Sequence, residues 1–188
     1  MTPEYGPKKL RQLHQLNRHL NVTGRKIWLT GYADASYKLE GTQHMAGWGV
    51  WVRDHAIRIH RAGRCPDWVE TAQDAELCAV WAAIHTALTK LDADRSNIMV
   101  IKTDCQSIAR YFGWGRGCSP SIPAKADCRR IVGQALELAL NHEVRLVVTW
   151  VKGHQGSKTT QGYLNNQVDK MARDARLTGN HRMQQFRV

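Results

Sequence analysis

Four acidic residues stand where chemistry could be done: Asp34, Glu76, Asp104 and Asp169. Asp34 follows the apolar, β-favouring run of residues 26–33, and Asp104 follows a second such run over 97–102, so each carboxylate is expected where a strand stops. Glu76 and Asp169 fall in stretches of helical periodicity. Taken singly, Asp34 reads as a turn residue closing a strand and Glu76 as a helix-start charge at the rim of a core. Taken together, four carboxylates on neighbouring elements repel one another unless hard divalent cations with a preference for oxygen, Mg²⁺ or Mn²⁺, sit among them. Two such ions about 4 Å apart suit phosphodiester hydrolysis, one activating water and the other stabilising the leaving oxygen.

The elements that must position these groups can be read in order. A short basic helix is expected around Leu10, Leu13, Leu16 and Leu20, free either to pack on the body or to track phosphates. Residues 26–36 form a strand, 37–44 a polar loop, 45–52 and 57–61 two further strands of an antiparallel meander, with a turn at Arg53-Asp54-His55. The span 71–91 has no Gly or Pro, carries Asp74 and Glu76 early, and offers Thr71 as an N-cap. Its apolar face runs through Val80, Ala83, Ile84, Ala87 and Leu91, and Glu76, four residues before Val80, shares that face and points toward the sheet. A strand ending at Thr103, helices over 105–112 and 127–141, a strand over 144–151 and a last helix from about Gly162 complete the chain. The order implies a mixed α/β sheet of five strands, three antiparallel then two parallel, flanked by helices.

Composition narrows the setting. A chain of 188 residues that is 43% hydrophobic fits one domain with a substantial core. No apolar run approaches bilayer length and the N-terminus lacks a secretory h-region, so a cytoplasmic protein without a membrane partner is expected. Five cysteines with no Cys-x-x-Cys pair argue against a disulfide framework or a zinc site, and the scattered histidines read mostly as surface residues. The net charge is +11, with +5 in residues 1–26 and +3 from Arg173 onward. Basic ends on a nearly balanced body suit a polyanion, nucleic acid before membrane, or equally two solvated tails kept basic for solubility. The boundaries follow: a basic N-terminal extension over 1–26, helical or disordered, whose removal leaves the fold intact; a catalytic domain over 27–178; a basic tail over 179–188.

Several segments together carry a family resemblance. They are Asp34-Ala35-Ser36 with Ala46-Gly47-Trp48-Gly49, Thr71 with Glu76-Leu77, Thr103-Asp104-Cys105-Gln106, Trp150-Val151-Lys152-Gly153-His154, and Asn165 with Asp169 and Ala172. In this order and spacing the chain resembles a type 1 ribonuclease H from about residue 27 to 176. The resemblance implies the ribonuclease H-like fold and an endonuclease that hydrolyses the RNA strand of an RNA–DNA hybrid with two metal ions, Mg²⁺ or alternatively Mn²⁺. It implies Asp34, Glu76, Asp104 and Asp169 as metal ligands, and His154 as a mobile-loop group assisting proton transfer or product release. By the same likeness Thr71 and Trp114 lie near the DNA strand, Gln106 contacts the RNA strand, Asn165 is a loop residue near the site, and Gln73 and Lys152 join the substrate-binding set.

The departures are specific. Ala72 and Gln73 stand where many members have paired Asn residues, so the reading of the hybrid there must differ. The stretch between Trp114 and Arg129 is rich in Gly, Ser and Pro where some members carry a basic protrusion. Two alternatives stay open at this point: a catalytically silent hybrid-binding module, and a resolvase or other nuclease of the same fold. No obligate protein partner is evident from the sequence.

Overall fold

Ile27–Glu40 forms the first strand (β1) of the computed structural model, which describes residues 4–20, 27–91, 97–115, 119–153 and 159–187. β1 turns at Gly41 and Thr42 into β2 (Gln43–Arg53), paired antiparallel from Glu40↔Gln43 to Thr30↔Arg53. The expected polar loop over 37–44 is therefore a hairpin end. Gly41 adopts φ +60°, the left-handed conformation such a tight turn needs, and the polar residues around it decorate an exposed two-stranded ribbon. Asp34 consequently lies within a strand and not at its end.

β3 (Ile57–Arg64) pairs antiparallel with β2 after the anticipated turn, in which Asp54 Oδ1 accepts hydrogen bonds from the amides of Ala56 (2.8 Å) and Ile57 (2.6 Å). β4 (Ile98–Thr103) runs parallel to β1, and β5 (Arg145–Trp150) parallel to β4. A sixth strand, β6 (Arg182–Arg187), pairs antiparallel with β3, giving the order β5-β4-β1-β2-β3-β6 among the described residues. The expected count of five strands is thus one short, because the basic tail expected over 179–188 contains a strand. β6 is exposed along its whole length, so no buried face imposes an alternation on its sequence. Its ladder with β3 and the ring of Phe186, 4.9 Å from the Arg58 guanidinium carbon, hold it.

Five helices flank the sheet among the described residues: α1 (Pro7–His19), α2 (Ala72–Lys90), α3 (Gln106–Tyr111), α4 (Ala126–Asn141) and α5 (Thr160–Thr178). The Thr71 side chain caps α2 by accepting from the Asp74 amide at 3.1 Å, and Thr159 caps α5 in the same way through Gly162. Val80, Ala83, Ile84, Ala87 and Leu91 are all buried, as the helical period requires.

α1 is part of the body. Leu10 and Leu13 enter the core as expected, but Leu16 is exposed and His14 and Asn17 are buried instead. The Tyr5 ring fills the space over Gly133 of α4, where any side chain would overlap it, and Lys9 pairs with Glu137 at 2.7 Å. Asn17 exchanges two hydrogen bonds of 2.9 Å with the Leu146 peptide group at the edge of β5. An extension that leaves the fold intact when removed does not match this packing, and His14 departs from the expectation of surface histidines. The four described cysteines carry free thiols, three of them buried. No helix among the described residues is long and apolar enough to cross a membrane.

Candidate active site

β1 is flanked by β4 on one side and β2 on the other. Its pairing with β4 ends at Tyr32↔Lys102, one residue before β4 itself ends at Thr103. Asp34 therefore sits just beyond the end of a parallel neighbour, although its own strand continues. Asp104 is the first residue after β4. The Trp150 indole donates to its carbonyl at 3.0 Å, and the Val151 amide donates to the carbonyl of Thr103 at 2.9 Å, which fixes where the chain leaves the sheet. Glu76 comes from the second turn of α2, on the inward face.

Asp74 anchors that helix start. It is buried and accepts from Lys125 Nζ at 3.1 Å, from the Cys128 thiol at 3.2 Å and from the Glu70 amide at 3.1 Å. Burial works to raise its pKa, but these partners outweigh it and hold the carboxyl below its ordinary value. Lys125 and Cys128 thereby tie α4 to the end of α2 that carries Glu76.

Asp34, Glu76 and Asp104 converge, with one carboxylate oxygen from each lying within 4.8 Å of the others. Asp34 is 6% exposed and accepts from the Ala35 amide at 2.8 Å. Burial, followed by the charges of Asp104 and Asp169, pushes its pKa up to about 8. Glu76 is raised well above its ordinary value by burial first and then by Asp34 and Asp104, and its Oε2 is buried with no hydrogen-bond partner. Three acidic groups this close, one with an orphaned buried oxygen, form a set of hard oxygen donors that a divalent cation would satisfy. The donor chemistry therefore fits Mg²⁺ or Mn²⁺.

α5 brings the fourth carboxylate near. Strand alternation puts Asp34 on the same face as Tyr32, which packs with Trp51 and Val168, and as Ser36, whose hydroxyl accepts from Arg176 Nε at 3.0 Å. Opposite them in β2 lie Gly49 and Gly47, which pair with Asp34 and Ser36. A side chain at Gly49 would strike the Val168 carbonyl, and one at Gly47 the backbone at Ala172 and Arg176. These two glycines let α5 lie directly on the sheet. Asp169, next to Val168, acts on Asp34 electrostatically but stands outside the group of three, with Oδ2 accepting from Arg173 at 3.0 Å and the side chain 31% exposed.

The other anticipated residues fall into distinct surroundings. Thr71 and Gln73 are exposed at the start of α2, where the Gln73 amide donates to the Tyr111 hydroxyl at 2.5 Å. Gln106 is exposed at the start of α3, and Lys152 is exposed after β5. Trp114 is half-buried, its ring 5.8 Å from that of Trp150. Asn165 is buried in α5, with an unpartnered Oδ1. His154 lies outside the described residues. Gly153 before it presses on Asp104, since a side chain there would collide with Asp104 Oδ2.

Sequence reading did not anticipate the Arg173 clamp on Asp169, the Trp150 hold on Asp104 or the role of Gly47 and Gly49. The i,i+4 spacing of Asp169 and Arg173 and the alternate glycines of β2 were visible signals. The Trp150 bond has no sequence signature.

The sequence model of the RNase H family matches residues 27–176. Among curated proteins, none matches the chain significantly. Several solved structures resemble its fold. LC9-RNase H1, a type 1 RNase H with the type 2 active-site motif, is 21% identical with a TM-score of 0.57, over 81% of this chain and 74% of that one. The protease-reverse transcriptase of Prototype Foamy Virus is 19% identical with a TM-score of 0.59, over 83% of this chain but only 22% of the viral one. LC11-RNase H1, solved in complex with an RNA/DNA hybrid, is 15% identical with a TM-score of 0.55, over 79% of this chain and 96% of that one.

Proposed function

The chain belongs to the RNase H family, and from that premise we propose that it is a type 1 enzyme, an endonuclease hydrolysing the RNA strand of RNA–DNA hybrids with two divalent cations, Mg²⁺ foremost. The observation that carries the reading is the convergence of Asp34, Glu76 and Asp104 at the end of β4. These three would hold the cations, with Asp169 completing the set from α5. When bound, such ions supply a nucleophile at neutral pH and stabilise the leaving oxygen of a phosphodiester.

The chain's own groups do the rest. The trio presents its oxygens from a strand, the end of a second strand and a helix, with Asp34 buried and Glu76 and Asp104 half-buried, so the donors are oriented before any ligand arrives. Thr71, whose oxygen is committed to the Asp74 amide, keeps its hydroxyl proton for a phosphate oxygen of the DNA strand. Gln73 and Gln106, exposed at the starts of α2 and α3, read the RNA strand through 2′-hydroxyls in its shallow minor groove. Lys152 and Trp114 contact the strands beyond them, Asn165 supports the α5 side, and His154 moves a proton to or from the departing product. The basic surface supplies affinity through phosphate contacts.

The test is incubation of labelled RNA–DNA hybrid, double-stranded RNA, double-stranded DNA and a four-way DNA junction, each with and without Mg²⁺. Cleavage confined to the RNA strand of the hybrid, and dependent on the metal, is expected. Junction cleavage with an untouched hybrid would overturn the reading in favour of a resolvase, and binding without any cleavage would make the chain a hybrid-binding module.

A further inference from the structure

β5 has an edge that α1 covers only in part. The Arg145 amide bonds the Asn97 carbonyl at 3.0 Å and the Val151 amide bonds the Thr103 carbonyl at 2.9 Å. In a parallel ladder the peptide groups between them alternate, so those of Leu146, Val148 and Trp150 face away from β4. Asn17 satisfies the first of these as a neighbouring strand would, through its amide oxygen and nitrogen. Val148, the second, lines a cavity of about 280 Å³.

The other walls of that cavity carry a consistent chemistry. Arg18 of α1 and Arg145 of β5 bring two guanidinium groups, and neither has a carboxylate partner among the described residues. His14, 7% exposed, also lines it, and its Nε2 is buried with no hydrogen-bond partner. The ring bonds the Tyr111 carbonyl, and burial with Arg18 lowers its pKa to about 4, so it is neutral and Nε2 is an acceptor. Trp114 adds an aromatic surface, and through Trp150 it adjoins the backbone of Asp104. Trp150 thus stands between the cleft's aromatic wall and the strand end that carries Asp104.

We propose that this cleft binds one unpaired nucleotide of a nucleic-acid strand, its phosphate held by Arg18 and Arg145, its base against Trp114, and its base edge met by His14 Nε2 and the Val148 peptide group. Two guanidiniums with no carboxylate partner among the described residues select a phosphate over the neutral backbone of a peptide. An acceptor beside an open peptide donor and acceptor matches the hydrogen-bonding edge of a base, which a paired base has already used. The volume lies just below the ~300 Å³ at which small-ligand sites begin, the scale of a single unit. α1 lies outside the matched family segment of residues 27–176, so the wall made by His14, Asn17 and Arg18 is an addition to that domain. The proposal rests on the preceding reading only in taking a nucleic-acid strand along this side of the site.

The test uses the full chain in metal-free buffer and fluorescence anisotropy with four probes: a blunt RNA–DNA hybrid, the same hybrid with a short single-stranded DNA overhang, double-stranded DNA with that overhang, and a free nucleoside monophosphate. Wild type is expected to bind overhang substrates on the order of tenfold more tightly than blunt ones, the scale of one stacked base. Arg18→Gln and Arg145→Gln should each remove most of that preference and lower the salt slope for overhang substrates by nearly one, leaving blunt-hybrid binding close to wild type. Arg18 is exposed, so its variant tests binding without a folding penalty. Equal affinity for blunt and overhang forms, or a preference that survives both substitutions, would overturn the proposal. So would Arg18-dependent binding of the free nucleotide alone. An overhang preference on double-stranded DNA with no hybrid cleavage would uphold the cleft and remove the hybrid reading, whereas hybrid cleavage with no overhang preference would do the reverse.

Discussion

At the scale of single residues, the site stores its charge as protons. Asp34 is raised to about 8 from an ordinary value of 3.8 and Glu76 is raised well above its ordinary 4.5, both by burial before anything else. A carboxyl with a raised folded pKa keeps a proton that the unfolded chain has lost, so its contribution to stability is complete below the ordinary value and disappears as pH climbs through the raised one. For the metal-free protein, the melting temperature is therefore expected to fall as pH rises from about 4 to about 8. Asp74 acts at the other end, losing its contribution only as pH falls through its lowered value. Saturating Mg²⁺ should restore stability most at the alkaline end, because cation and proton compete for the same oxygens. Melting curves across this range, in chelator and in Mg²⁺, check both signs; a rise with pH in chelator would refute the buried-proton account. Asp34→Asn and Asp104→Asn keep the size of the side chain and remove the charge. Hybrid hydrolysis should then fall by far more than the ~100-fold that loss of an outer-shell partner costs, with hybrid binding retained and metal-free stability no lower than wild type. Full activity in either variant would remove the two-metal mechanism. Asp34 and Asp104 stand out in the sequence because a charge after an apolar run is chemically conspicuous. The raised pKa values of Asp34 and Glu76 have no such signature, since burial is a property of everything around them.

At the scale of elements, α5 seated on β2 sets where Asp169 stands. Gly47 and Gly49 leave no room between the strand and the helix backbone, so a side chain at either position must displace the helix. Gly49→Val is expected to destabilise the protein by about 1–3 kcal/mol, the usual cost of overpacking, and to lower activity beyond what the stability loss explains, because the helix carries Asp169 away from Asp34. Denaturant unfolding paired with hydrolysis rates at a temperature where both proteins are folded tests this. Wild-type rates in a destabilised Gly49→Val would show that α5 position is irrelevant to the chemistry. Helix α2 was predictable from its cap and its period. The contact of α5 with β2 was not, because a glycine in a strand signals close approach without naming what approaches.

At the scale of the whole molecule, the two basic ends belong to the sheet. Asn17 closes part of the β5 edge and β6 extends the opposite one. Asn17→Ala leaves the Leu146 amide and carbonyl buried and unpaired, so a loss of about 1–3 kcal/mol is expected. Removing residues 1–20 takes Tyr5, Leu10 and Leu13 out of the core and should lower the melting temperature more than removing 181–188, whose strand is exposed throughout. Thermal unfolding of the three variants decides the order, and a truncated chain as stable as the full one would show α1 to be an ornament. By itself the sequence determined the fold class and the run of secondary elements from residue 57 to 178, and it singled out the acidic residues proposed as ligands. Each of those rests on a local signal: a period, a cap, or a charge where an apolar run ends. Only the tertiary structure decided that Asp34 lies within a strand, that α1 completes the core, that a sixth strand extends the sheet, and that Asp169 stands apart in the grip of Arg173. Those outcomes depend on which surfaces meet across long sequence separations, and no local pattern encodes the partner.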